Sequence, residues 1–210
     1  MSAADLVIAP LHAIRGDANG NITVSNGDNV VDFSTLGGQK KLQEFQDNYD
    51  PKYSLTNTFG RMDPIVNYQG TSRKILVAIE LTQAPDDGLD VHTKTKKILY
   101  PTYDAASSIP NALLIQRPPL VAVKMGSLIH SPLDKSGFLL CVLESYTMTP
   151  GLGFTPLDSP LVRLSTNPNN PITAFQSYNF RFDFIPLHPV TPGFVEDSSG
   201  QFEWVGGDDF

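Results

Sequence analysis

Alternation of apolar and polar side chains with a period of two dominates this chain, most clearly after residue 54. From Arg73 to Leu81 it places Ile75, Val77, Ile79 and Leu81 on one face, which predicts a strand. Between Phe175 and Ile185, Tyr178, Phe180, Phe182 and Phe184 alternate with Ser177, Asn179, Arg181 and Asp183. Leu120–Met125 and Phe138–Met148 read as two further strands. In the second, Phe138, Leu140 and Val142 face one way while Leu139, Cys141 and Leu143 face the other. A strand apolar on both faces needs two covers. In so small a chain a neighbouring subunit is the natural second one.

One segment follows the helical period instead. Pro85-Asp86-Asp87 offers a helix start with carboxylates where the macrodipole favours them. Leu89, His92, Lys96 and Leu99 follow at helical spacing, Asp90 and Lys94 form an i,i+4 pair, and Pro101 ends the helix. Thirteen of the seventeen prolines lie between Pro101 and Gly193, so no second helix is expected there.

The first third is less regular. Asp17-Ala-Asn-Gly-Asn21 and Asn26-Gly27 suit tight hairpin turns beside Ile22–Val24 and Val30–Phe33. In Gln39–Tyr53, Leu42 and Phe45 stand three apart, which predicts one or two helical turns. The expected organisation is a hairpin-rich N-terminal extension over 1–53, a β domain over 54–193 and an arm over 194–210. Phe194, Phe202, Trp204 and Phe210 are spaced along that arm between flexible glycine points, and it reads as mobile. Docking on a partner and folding back on its own domain are equally open.

Composition narrows the class. Hydrophobic residues make up 40 % of the 210 and charged residues 18 %, enough for a core and too little charge for a disordered chain. The net charge of -7 excludes an electrostatic trap for nucleic acid. Five of the excess carboxylates, Glu196, Asp197, Glu203, Asp208 and Asp209, sit in the arm, leaving the rest nearly neutral. A single cysteine, Cys141, rules out an internal disulfide and, within an apolar run, reads as a buried thiol. The opening residues lack a basic n-region and no apolar stretch is long enough to span a bilayer, so neither leader nor membrane insertion is expected.

Catalytic motifs fail the same test. No phosphate loop, dinucleotide fingerprint, zinc-ligand pair or nucleophile elbow is present. His12, His92, His130 and His188 are isolated, so no metal is expected. Asp17, Asn19, Asn21 and Asp28 echo a calcium loop, but Ile22 occupies the position that needs glycine, and a hairpin turn fits better. Asp63 and Asp183 each stand near an arginine, Arg61 and Arg181, which suggests ion pairing. Gly151-Leu-Gly153 is a loop. These residues describe a β-rich structural or binding protein with no expected catalytic residue and no cofactor.

Several stretches, taken in order, resemble a known family. Asn57-Thr-Phe-Gly-Arg-Met-Asp-Pro-Ile65 and Tyr68-Gln-Gly-Thr71 precede the strand at 73–81 and the helix. Leu99-Tyr-Pro-Thr-Tyr103 follows, then Pro118-Pro-Leu-Val-Ala-Val-Lys-Met-Gly-Ser-Leu-Ile129, the strand Gly137–Tyr146 and Pro150-Gly-Leu-Gly-Phe154. This combination, over roughly residues 55–195, is similar to the tube-initiator proteins of myophage baseplates, whose fold is akin to tail-tube proteins and to the Hcp tubes of type VI secretion.

The resemblance implies a mainly β, α+β subunit with one short helix. Its split β-barrel of the tail-tube type would close with its copies into a homo-hexameric ring in the virion's tail baseplate, made in the host cytoplasm. The ring would join the baseplate hub protein to the first tail-tube ring or a second initiator ring, with the sheath initiator as a further neighbour. Genomic DNA would pass through the lumen without specific binding. Phe138, Leu140, Val142, Arg61 and Asp63 are the candidate subunit contacts, Ser177, Asn179 and Asp183 the candidate lumen lining, and Phe194, Phe202, Trp204 and Phe210 the candidate docking arm. The repeating tube protein and a second adaptor ring are alternatives; a tail-associated glycan-binding or wall-hydrolysing domain is a distant one. The peptidoglycan-binding LysM module that many relatives carry is not recognisable here.

Overall fold

A long antiparallel hairpin and a run of phenylalanines organise the chain. The computed structural model describes residues 5–10, 13–16, 22–24, 29–57, 59–60, 62–100, 102–103, 115–130, 137–151, 161–163, 173–175, 177–187, 193–196 and 201–205. The elements are β1 (Leu6–Pro10), β2 (Ile14–Gly16), β3 (Ile22–Val24), β4 (Val31–Asp32), β5 (Gln39–Thr56), β6 (Ile65–Thr82), α1 (Pro85–Ile98), β7 (Thr102–Tyr103), β8 (Ile115–Arg117), β9 (Leu120–Met125), β10 (Leu139–Gly151), β11 (Leu161–Arg163), β12 (Thr173–Phe175), β13 (Ser177–Pro186), β14 (Gly193–Glu196) and β15 (Phe202–Val205).

Seven of these strands form one open sheet in the order β4-β1-β9-β10-β13-β6-β5, with every neighbouring pair antiparallel. Two-stranded pairs β2–β3, β7–β8, β11–β12 and β14–β15 accompany it. The protein is therefore mainly β with one helix among its described residues, an α+β arrangement.

The core lies between one face of the sheet and α1. Ile75, Val77, Ile79 and Leu81 of β6 are fully buried, as their alternation predicts, beside Tyr178, Phe180, Phe182 and Phe184 of β13. The four rings stack along the strand at 5.9, 6.5 and 6.0 Å between successive centroids. Phe33, just after β4, meets Phe180 and Phe182 edge-on at 6.2 Å each. Aromatic contacts of this kind add about 0.5–1.5 kcal/mol each beyond the area they bury.

The helix starts at Pro85 with Asp86 and Asp87 in its first turn and ends with Lys96 and Lys97 in its last. Asp90 and Lys94 pair at 2.7 Å. Its buried side is Gly88, Val91, Thr95 and Ile98, one position round from the expected Leu89, His92, Lys96 and Leu99; Lys96 is exposed. Small residues explain the rotation, because Gly88 lets the backbone settle onto the ring of Tyr178. A Cβ at Gly88 would stand 2.2 Å from Cδ2 of that ring.

Two further expectations are corrected. Gln39–Tyr53 is strand, not helix. Leu42 pairs with Ile79 and Glu44 with Ala78, so Gln43 is left over as a bulge and both Leu42 and Phe45 reach the core face. The expected boundary at 53/54 falls inside β5, and β1, β4 and β5 all belong to the central sheet, so 1–53 is no separate extension. Near the start, β2 and β3 do pair as the first hairpin. Val31–Asp32 pairs with β1 instead of β3.

Gly88→Ala tests the helix seat. At an exposed helical position the change would add about 1 kcal/mol of stability. Here overpacking against Tyr178 reverses the sign, and urea denaturation is expected to show a loss of about 1–3 kcal/mol.

Candidate functional site

Three surfaces hold the residues that the sequence singles out: the free end of the β5–β6 hairpin, the sheet face opposite α1, and the β14–β15 pair. The hairpin extends beyond the sheet. Strand β6 pairs with β13 only from Ile75 to Thr82, whereas β5 stays on β6 down to Ile65. The stretch from Ile65 to Lys74 and its β5 partner thus project as a two-stranded ribbon, roughly 30 Å long at the usual strand rise.

Directly opposed residues share a face, so register decides what the ribbon presents. Tyr49 opposes Arg73, Tyr53 opposes Tyr68 and Leu55 opposes Val66, on the side that continues the core face. Tyr49, Tyr53, Leu55, Val66 and Tyr68 are between 49 and 66 % exposed. The reverse side carries Asn48, Asp50, Lys52, Ser54, Asn67, Ser72 and Lys74, with Thr56 and exposed Ile65 paired at its free end. At the root, Arg73 donates twice to Asp47, at 2.9 and 2.6 Å, and its guanidinium lies over Tyr49 at 5.1 Å from the ring centre. That largely buried fork ends the core and begins the exposed ribbon. Phe59 and Met62 stand fully exposed at the tip, beside exposed Asp63.

The sheet face opposite α1 changes character along its length. Leu140 and Val142 are half-buried, and Val142 pairs with half-buried Ile185. Phe138, also half-buried, lies 5.8 Å beneath the Lys124 ammonium. A bulge at Glu144 then shifts the alternation, so the next outward pairs are polar: Ser145 with Asp183, Thr147 with Arg181 and Thr149 with Asn179. Ser145 donates to Asp183, and Gln43, the bulge residue of β5, donates to Glu80. Arg181 lies 3.4 Å from Glu44 and 3.8 Å from Asp183, while Lys74 donates to Glu144 at 2.8 Å. Around Ala78, Gln43, Glu80, Thr147, Thr149, Asn179 and Arg181 rim an open depression of about 420 Å³.

The candidate residues are therefore dispersed. Phe138, Leu140 and Val142 lie on the outer sheet face, but Asp63 is at the far tip of the ribbon, so the structure does not bring it to them; Arg61 lies outside the described residues. Ser177, Asn179 and Asp183 do share the polar end of the outer face, with Arg181 held between carboxylates. Within the arm, Gly193–Glu196 and Phe202–Val205 form an antiparallel pair in which Phe194 opposes Trp204 and Glu196 opposes Phe202; Phe210 lies outside the described residues. Sequence reasoning missed the apolar side of the ribbon. Tyr49, Tyr53 and Leu55, continuing the alternation from Phe45, were the available signal.

Among the described residues, no three His, Cys, Asp or Glu side chains cluster to hold a metal ion. Cys141 is fully buried, and burial pushes its thiol up to about 12, the opposite of an activated nucleophile. His12, His188, the calcium-like segment 17–21 and the loop 152–153 lie outside the described residues, and no described helix is long and apolar enough to cross a membrane. His92 of α1 stacks on Tyr146 of β10 at 5.8 Å, its Nδ1 being 3.0 Å from the hydroxyl. Burial, then Lys96, lowers the imidazole below its ordinary 6.5, and burial raises the phenol. With imidazole neutral and phenol protonated, the two groups share a hydrogen bond whose donor is set by the imidazole tautomer.

The described fold is an open antiparallel sheet from which an amphipathic ribbon projects. No protein-family model and no curated protein matches the chain.

The His92 contact predicts the direction of a pH dependence. Its neutral form is favoured in the folded state, so unfolding takes up a proton below pH 6.5. The contribution to stability is full above that pH and lost as the pH falls through the lowered folded value. Urea midpoints between neutral pH and about pH 5 should decline in the wild type, and His92→Phe should flatten part of that decline.

Proposed function

We propose that this chain is a non-enzymatic ring subunit of a contractile phage tail, a baseplate tube initiator that joins the hub to the first tail-tube ring. The observation that carries this reading is the projecting ribbon, with its continuous, exposed apolar side and polar reverse. An isolated chain gains nothing from holding five such residues in water, whereas a chain that seats them on a neighbouring copy does. The half-buried Phe138, Leu140 and Val142 supply a second apolar surface on a different element. Two different patches that meet head to tail generate closed rings, whereas one self-complementary patch generates a two-fold dimer. The long outer edge of β5 adds unpaired main-chain groups, to which a neighbour's strand can add until the open sheets become one split barrel.

In this reading six copies close the ring, and the polar end of the outer face, with Ser177, Asn179 and Asp183, lines a lumen for DNA. Pairing of Arg181 with Glu44 and Asp183, and of Lys74 with Glu144, favours that role, since neutralised cations leave little to hold a passing polyanion. The tail-tube ring or a second initiator ring would sit on one side and the hub on the other, with the sheath initiator outside.

Immunogold labelling of intact and contracted tailed particles with an antibody to this chain tests the proposal. Label confined to the baseplate end of the tube is expected. Label along the whole exposed tube would make it the repeating tube protein instead, and no label on either particle would overturn the reading. Tyr53→Ser/Tyr68→Ser should leave a folded chain that no longer enters particles.

A further inference from the structure

We propose that the bulge at Gln69 and Gly70 gives the β5–β6 ribbon its apolar side and so determines which side of the ribbon meets a neighbouring copy of the chain. The inference rests on the assembly reading above and adds the element on which its contact depends.

Alternation along β6 would not collect these residues unaided. Counting back from Arg73, a regular strand puts Thr71, Gln69 and Asn67 on the side of Tyr49, Tyr53 and Leu55, and turns Tyr68 and Val66 to the reverse. The observed register differs. Lys52 opposes Gly70, but the next residue, Tyr53, opposes Tyr68, so Gln69 has no partner. One surplus residue shifts everything beyond it by one position, and Tyr68 and Val66 join Tyr53 and Leu55. The rings of Tyr53 and Tyr68 then stand 5.7 Å apart. The Tyr68 hydroxyl and Oγ1 of Thr71 share a hydrogen bond across the bulge at 2.5 Å.

Gly70 makes the shift possible. Its φ is +132°, a region in which side chains are disfavoured. No heavy atom lies within 4 Å of where its Cβ would stand, so conformation and not space calls for glycine here. A bulge at a glycine on an exposed ribbon re-aims side chains without disturbing the core. Here it begins beyond Ile75, the last residue of β6 that pairs with β13.

The test combines a substitution with its rescue. Gly70→Val disfavours the positive φ and favours regular pairing, so Tyr68 and Val66 should turn to the polar side. Deletion of Gln69 removes the surplus residue, so the Gly70→Val chain with that deletion can pair Tyr53 with Tyr68 in a regular ladder. Register is read from an engineered Ser54→Cys/Asn67→Cys crosslink: with Gln69 present these residues oppose one another only in the bulged register, and with Gln69 deleted they oppose one another in a regular ladder.

The expected result has three parts. Gly70→Val keeps the wild-type circular dichroism spectrum but loses both the crosslink and the gold label on particles; deletion of Gln69 from that variant restores both; Tyr53→Ser/Tyr68→Ser loses the label. Wild-type labelling of Gly70→Val, loss of label with the crosslink intact, or failure of the deletion to restore it would overturn the bulge's role. Wild-type labelling of Tyr53→Ser/Tyr68→Ser would instead overturn the ribbon as the contact, and absence of label from wild-type particles would overturn the assembly reading itself.

Discussion

Everything in this fold depends on the two-residue period of the pleat and on the points where it slips. A strand side chain has only two faces to choose from, so one surplus residue transfers all that follows to the other side. Among the described residues of the central sheet, three bulges do this. The bulge at Gln43 lets both Leu42 and Phe45 reach the core, and that at Glu144 brings Tyr146 and Met148 to the core after Leu143. The third, at Gln69, keeps Tyr68 and Val66 beside Tyr53 and Leu55. In each case the residue left without a partner is polar. Gln43 and Glu144 also bind charged neighbours, Glu80 and Lys74, on the outer face. A bulge on a half-solvated face costs little when its surplus side chain is hydrophilic.

The same slips mark the limit of what the sequence discloses. Unbroken alternation was legible, and β9, the buried half of β6 and the aromatic face of β13 follow directly from it. A bulge places apolar residues three apart on one face, as at Leu42 and Phe45, and that spacing imitates a helix. Nothing local resolves the ambiguity, because the decisive partner of β5 is β6, joined only after a long exposed turn. The N-terminal boundary failed for a related reason. Strand β1 is held by β9, more than a hundred positions away, and a sequence read without contacts makes such a segment look detached. The helix was legible in extent but not in rotation, since its orientation is set by the gap that Gly88 leaves for Tyr178. Of the candidate surfaces, the Ser177–Asp183 face was readable from alternation alone, while the ribbon was not assembled from its parts.

The outer sheet face combines two chemistries. Its apolar end, at Leu140, Val142 and Ile185, is only half-covered, and its polar end ties Lys74 and Arg181 to carboxylates. The bulge at Glu144 is the hinge between them, since without it Ser145, Thr147 and Thr149 would turn into the core and Tyr146 and Met148 outward. The strand that looks apolar on both faces is thus two half-strands of opposite parity, and its need for a second cover is confined to the end near Phe138.

The ribbon and the free edge of β5 present a related problem. An 18-residue edge strand is a template for indiscriminate pairing, and an apolar ribbon adds to that hazard. Pro51 withholds one donor, Lys40, Lys41 and Lys52 place charges along the edge, and the bulge at Gln43 breaks its regularity. These features discourage a flat, symmetric stack of one β5 on another. They do not discourage a partner that approaches from one side with matching register. Two ribbons meeting face to face would cover their tyrosines but leave half-buried Leu140 and Val142 with no further cover. Only a head-to-tail contact uses both patches of every copy, and such a contact closes when the rotation between neighbours divides the circle. In the proposed assembly, the asymmetry of the ribbon, apolar on one side through the bulge at Gln69, would make that contact directional.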